Sequence, residues 1–248
     1  MTPANTLPRQ PSLLQPAATA ATAPRVDLYA GIHKALRLFM TDTLVRVGSL
    51  DVDDREEFAS TLGQVQQLLE ACHSHLEHEN RFVHTALESR QPGATARVAA
   101  EHDEHRDAIA ALEADAAALR ALPHAAAVHR FYRHLALFVA ENFEHMNLEE
   151  TAHNAALWAS HSDAELQAVH QRLVASIAPA EMAMFTRWIV VAASPAERAA
   201  MLGEMQRQMP PEAMRAVLDN VRPQLHDRAW GKLARALGIA MVPGLVCA

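Results

Sequence analysis

Apolar residues recur at helical spacing in four long stretches of this chain, separated by turn signals. In the first stretch, about Val26–Val47, the inward stripe is Tyr29, His33, Leu36, Met40, Leu44 and Val47. Gly48–Asp54 is the turn, and Asp53 or Asp54 stands where a cap for the next helix belongs. The second stretch, about Asp54–Glu88, points Phe58, Leu62, Val65, Leu68, Cys72, His75, Glu79, Phe82 and Ala86 inward, and Gln91-Pro92-Gly93 breaks it. The third, about Ala94–Leu122, aligns Val98, His102, His105, Ile109, Leu112 and Ala116, and Pro123 marks its end. The fourth runs to about Ala159, with Val128, Phe131, Leu135, Phe138, His145, Glu149, Ala152 and Ala156 on one face. Four long helices with short connections predict an all-α fold, with an up-down-up-down four-helix bundle over residues 26–159.

The flanks differ from this pattern. Residues 1–25 are rich in Pro, Ala, Thr and Gln without periodicity and read as a disordered tail. Residues 160–248 read as a C-terminal extension of four or five short helices. Ser162-Asp-Ala-Glu165 and Ser194-Pro-Ala-Glu197 are capping boxes, and Pro179 and Pro210-Pro211 mark further starts. The extension is rich in Met: Met182, Met184, Met201, Met205, Met209 and Met214. An adaptable binding surface is one reading of these residues, but filler between short helices is the simpler one.

Composition narrows the function classes. Half of the 248 residues are hydrophobic, only 5% are aromatic, and Gly is scarce at eight, which suits an all-helical protein. A net charge of −7 without a basic block excludes nucleic acid as an expected partner. Two cysteines, Cys72 and Cys247, are too few for a disulfide framework and fit a reducing, cytoplasmic setting. No apolar run has the length of a membrane span, and the N-terminus lacks the basic and apolar regions of a signal peptide.

Histidine is the unusual residue, at fifteen copies concentrated between His73 and His153. His145-Met-Asn-Leu-Glu149 places an imidazole and a carboxylate one helical turn apart on the inward face, and His75-Leu-Glu-His-Glu79 repeats the spacing. A buried charge is costly unless paired or bound to a metal. In an up-down bundle, residues equidistant from a turn share a height. The midpoint of His33 and His75 is Asp54, in the first turn. That of His75 and His102 falls between Glu88 and Ser89, and that of His102 and His145 between Pro123 and His124, at the second and third breaks. One layer can therefore hold His33, His75, Glu79, His102, His145 and Glu149, a donor set suited to iron, manganese or zinc. The expected arrangement has two ions bridged by the two Glu side chains, with His33 and His75 on one and His102 and His145 on the other. For each histidine alone, a hydrogen-bonded core residue is the simpler reading; the repeat at matched height is what favours a metal. His73 and His84 are expected to point outward and His78 to lie at the edge. His134 and Cys72 are expected in the core, and Glu141 or Asn142 could orient a ligand.

His33, His75-xxx-Glu79, Glu101-His102 and His145-xxx-Glu149 resemble the cation-binding motifs of hemerythrin-like (HHE) domains, over roughly Val26–Ala159. The resemblance implies a four-helix bundle with a non-haem di-iron centre, two iron ions as cofactor, and dioxygen or nitric oxide as ligand. Family members include oxygen carriers, gas sensors, iron–sulfur repair proteins and iron-sensing ligase subunits. Oxygen carriers of the family have HxxxH on the third helix and end in HxxxxD. Here residue 106 is Arg, the second histidine is His105, and the last motif is HxxxE, closer to bacterial members with four His and two Glu. Ile109 and Leu112 follow Glu101-His102 at the family's spacing and favour His102 over His105 as the third-helix ligand. Phe185-Thr-Arg-Trp188 with Ser194-Pro-Ala-Glu-Arg198 looks like a helical extension that some members carry. The resemblance leaves three roles open: a non-enzymatic gas-binding or iron-handling protein, a di-iron enzyme, and a metal-free interaction module.

Overall fold

The computed structural model describes residues 25–241, all helix and connecting turns, with no strand among them. The expected tail and Cys247 lie outside the described residues. Helix α1 (Ala30–Gly48) starts later than its apolar stripe because Asp27 accepts hydrogen bonds from the Tyr29 and Ala30 amides and holds Val26–Tyr29 as a lead-in. Asp54 caps α2 (Arg55–His78), accepting from the amides of Glu56 and Glu57. This helix continues through a π turn (Glu79–His84) into α3 (Thr85–Arg90). Gly93 takes φ 85°, the left-handed turn that ends the segment. After α4 (Ala96–Ala121) comes α5 (Ala125–Leu148), which likewise passes through a π turn (Glu149–His153) into α6 (Asn154–Ser160).

The long helices pack in a closed ring, α1 on α2, α2 on α4, α4 on α5 and α5 on α1. Within it lie two apolar clusters. The larger holds Leu36, Phe39, Met40, Leu68, Leu112, Leu135 and Phe138. The smaller holds Tyr29, Val83, Leu87, Leu157 and Leu166. The segments 29–47, 62–87 and 128–157 run from one cluster to the other past His33, past His75 and Glu79, and past His145 and Glu149, so the polar layer lies between two apolar clusters.

The π turns correct the sequence reading. Phe82 and Ala86 were expected inward, but Val83, His84 and Leu87 are the buried residues there. On the partner segment Ala152 is exposed and Ala156 half-buried, while His153, Asn154 and Leu157 are buried. A π turn takes an extra residue to complete a revolution, so each stripe advances by one position after its glutamate.

The extension has α7 (Asp163–Ser176), α8 (Pro179–Ala192), α9 (Pro195–Gln208), α10 (Pro211–Val221) and α11 (Asp227–Leu237). Both capping boxes form, at Ser162 and Ser194. Helix α8 lies along α1: Phe185 enters the larger cluster and the Trp188 ring stacks on Phe39 at 4.1 Å. Beyond α8, the last helices bury their own core of Val190, Leu202, Met214, Val221, Trp230 and Leu233. Met184, Met201, Met205 and Met214 are the filler expected of the Met stripe, and Met182, Met201 and Met205 also line a pocket.

Candidate metal centre

Each inward imidazole aims Nε2 at the two glutamates. His75 Nε2 lies 3.2 Å and His33 Nε2 3.6 Å from Glu79 Oε1, while His102 Nε2 lies 3.5 Å from Glu79 Oε2. Glu149 mirrors this: Oε2 is 3.4 Å from both His33 Nε2 and His145 Nε2, and Oε1 is 3.6 Å from His102 Nε2. Each carboxylate thus spans both pairs of histidines. Two overlapping groups result, His33–His75–Glu79–Glu149 and Glu79–His102–His145–Glu149, each with its donor atoms within 4.8 Å of one another. All six residues predicted from sequence meet here. His105 is buried with its ring 4.7 Å from that of His145, but it belongs to neither group.

The far side of three imidazoles is held in place. His145 Nδ1 donates to Glu101 Oε2 (2.8 Å), and His33 Nδ1 to Glu150 Oε1 (3.1 Å). His102 Nδ1 pairs with Asn80 Oδ1 at 2.9 Å. Glu101 is itself held by Arg97 and Glu150 by Arg37. A carboxylate on Nδ1–H fixes the tautomer that leaves Nε2 as a bare lone pair, the arrangement metal-bound histidines use. The hydrogen bond from His33, with Arg37 beside it, holds Glu150 at about 2. Partial burial raises Glu101, but the hydrogen bonds from His145 and Arg97 outweigh it and keep the carboxyl below its ordinary value.

The inner atoms are not satisfied. His33 Nε2, His75 Nε2 and all four carboxylate oxygens of Glu79 and Glu149 are buried without a hydrogen-bond partner. Orphaned buried polar atoms are rare, and here they converge. His102 Nε2 and His145 Nε2 stand 3.0 Å apart, so two lone pairs face each other unless a proton or cation lies between them. Burial, with Glu149 alongside, pushes Glu79 well above the carboxylate range, and burial carries Glu149 to about 8. Burial also lowers His33 and His75, and takes His102 to about 2 with His145 nearby. Protein groups alone leave these ligands neutral and unpaired. A cation would ionise the acids and occupy the lone pairs, so the donor set fits a metal.

Of two further residues that matter here, one was misread and one was not singled out. His84 was expected in solvent; it is 5% exposed, with its ring stacked on His102 at 4.9 Å. His153 carried no assignment; it is buried, and its Nδ1 lies 3.2 Å from the Tyr29 hydroxyl. With Glu149 they form a third compact group. The signal was a histidine five residues after Glu79 and four after Glu149, obscured by the π turns. His73 is exposed as expected, and His78 is half-buried with Nδ1 3.3 Å from Ser74 Oγ. His134, expected in the core, instead lies at the surface paired with Asp115 at 2.8 Å. Cys72 packs in the apolar core, where burial pushes its thiol up to about 12, and it joins no metal group. Neither Glu141 nor Asn142 orients a ligand: Glu141 is exposed, and Asn142 donates to the Phe138 carbonyl at 2.8 Å.

The chain is thus a helical protein with buried His/Glu clusters able to hold a metal. No family model matches it, and no curated protein and no solved structure matches it. Among the described residues no helix is long and apolar enough to cross a membrane.

Proposed function

We propose that the ring of long helices is a hemerythrin-like up-down-up-down bundle around a dinuclear non-haem iron centre, and that this protein binds or senses dioxygen or nitric oxide, or handles iron. A cytoplasmic setting belongs to the same reading. The observation that carries it is the convergence of unpartnered Nε2 and carboxylate oxygens from His33, His75, Glu79 and Glu149 in one buried layer. In this reading His33 and His75 would hold one ion and His102 and His145 the other, with Glu79 and Glu149 shared between them. Iron held there would supply reversible electron transfer to a small ligand. The protein supplies fewer donors than two six-coordinate ions need, which leaves room for that ligand. Glu101, Glu150 and Asn80 hold the imidazoles in orientation, and the apolar clusters on either side exclude water. A metal-free interaction module has no use for so many orphaned buried atoms.

A second reading, a di-iron enzyme, is favoured by one observation: an apolar pocket in contact with His75 and Glu79. Anaerobic reconstitution with ferrous iron followed by metal analysis tests the primary reading. About two iron ions per chain are expected, with near-ultraviolet absorption of an oxidised bridged pair. A chain that retains none, or only one, overturns it.

A further inference from the structure

A pocket of about 550 Å³ lies between the ring of helices and the extension. A water-sized molecule takes about 30 Å³, and a diatomic gas needs little more. The volume instead falls in the range of organic-ligand sites, roughly 300–1,000 Å³, which are mostly apolar with a few polar groups. This pocket has that character. Leu173, Met182, Phe185, Met201 and Met205 line it from three helices of the extension, and Ile32 from α1.

The pocket also touches the candidate metal layer. Of the six residues of that layer, His75 and Glu79 are the two that line it. The His75 side chain is 10% exposed, whereas those of His33, His102 and Glu149 are fully enclosed. His75 Nε2 and both Glu79 oxygens are buried without partners. The partly exposed edge of the candidate layer, at His75, therefore belongs to the wall of an organic-sized pocket. Gly31 is the remaining feature: it lines the pocket, and a Cβ added there meets nothing within 4 Å.

We propose that this chamber binds an amphipathic organic molecule, its apolar body held between α1 and the Met-lined helices of the extension and its polar end at His75 and Glu79. The proposal deepens the metal reading, on which it relies only for what the polar end meets. It gives the extension a role: α7, α8 and α9 shape the ligand that the centre meets.

The test uses the full chain with carbon-13-labelled methionine methyls, as purified and after chelation, titrated with 4-pentylphenol. Saturable shifts at Met182, Met201 and Met205, with Met40 and Met146 unmoved, are expected. Gly31→Phe, which fills the space, should weaken binding at least tenfold and leave the helical circular dichroism intact. Val174→Trp, also on the pocket wall, serves the same purpose if Gly31→Phe does not fold. Pocket methyls that stay still, or shifts that persist unchanged in the filled variant, overturn the proposal. Iron content is measured separately on the same samples. Shifts in a chain that retains no iron after anaerobic reconstitution keep this proposal and defeat the metal reading; iron retained without shifts does the reverse.

Discussion

The two His-xxx-Glu arms, His75–His84 and His145–His153, are built alike but sit in different surroundings. Each begins on an α-helix, turns at its glutamate into a π segment, and buries a second histidine beyond it. The residue after each glutamate, Asn80 or Glu150, reaches a histidine on another helix. The surroundings then diverge. His145 is enclosed between His102 and His105, with Glu101 on its Nδ1. His75 faces the pocket. His145 is thus braced and enclosed, while His75 borders the pocket. A repeat in sequence can set a symmetric donor set, and the neighbours then decide where a ligand approaches.

The largest expected effect comes from removing what the arms share. Glu149→Ala takes away a carboxylate that spans both histidine pairs. Changes to groups that merely support a metal ligand already cost 10–100-fold in affinity, so this loss should reach at least that range. The stabilisation of the fold by added ferrous iron, read as a thermal shift, should shrink accordingly. If the shift is unchanged, the shared-carboxylate arrangement is wrong.

Glu101→Ala sharpens the contrast. It frees the His145 ring without touching the pocket side, and roughly 10–100-fold weaker metal binding is expected. A Glu101→Gln variant, which still accepts a hydrogen bond through its amide oxygen, should recover part of that loss in a competitive chelator titration. Equal losses in both variants would mean that Glu101 acts through its charge alone.

Phe185→Ala tests how the extension is attached. Its ring is buried in the main core against α1, and truncating a buried Phe costs about 3–5 kcal/mol. Chemical denaturation should show that loss with iron stoichiometry unchanged. An unaffected midpoint would make the extension an independent unit. At the small end, His73→Ala should stay within about 0.5 kcal/mol and leave iron binding alone, because the side chain is exposed.

How far the sequence could be read depended on helical period. Up to Glu79 and Glu149 a 3.6-residue count places the central inward stripe, including all six of the candidate layer, but leaves out flanking buried residues such as Phe39, Leu69 and Met146. After each glutamate the count fails by one, which sent His84 outward and put Ala152 inside. Side-chain size held a clue, since Leu87 and Leu157 are better core residues than Ala86 and Ala156. The bracing groups were harder to read. Glu101 on His145 and Glu150 on His33 are contacts between helices distant in sequence, which no local spacing encodes. The pocket was invisible for the same reason: it exists only because α7, α8 and α9 lie over α1 and α2. His134 was misplaced because it flanks the stripe: Phe131, Leu135 and Phe138 around it are buried, while its own ring turns out to Asp115.

Iron K-edge X-ray absorption on the reconstituted protein tests the central claim most directly. The account predicts two imidazoles per iron on average and a metal–metal distance of about 3.5–4 Å, the separation typical of two-metal sites. A spectrum with no metal–metal scattering at full iron loading would contradict it.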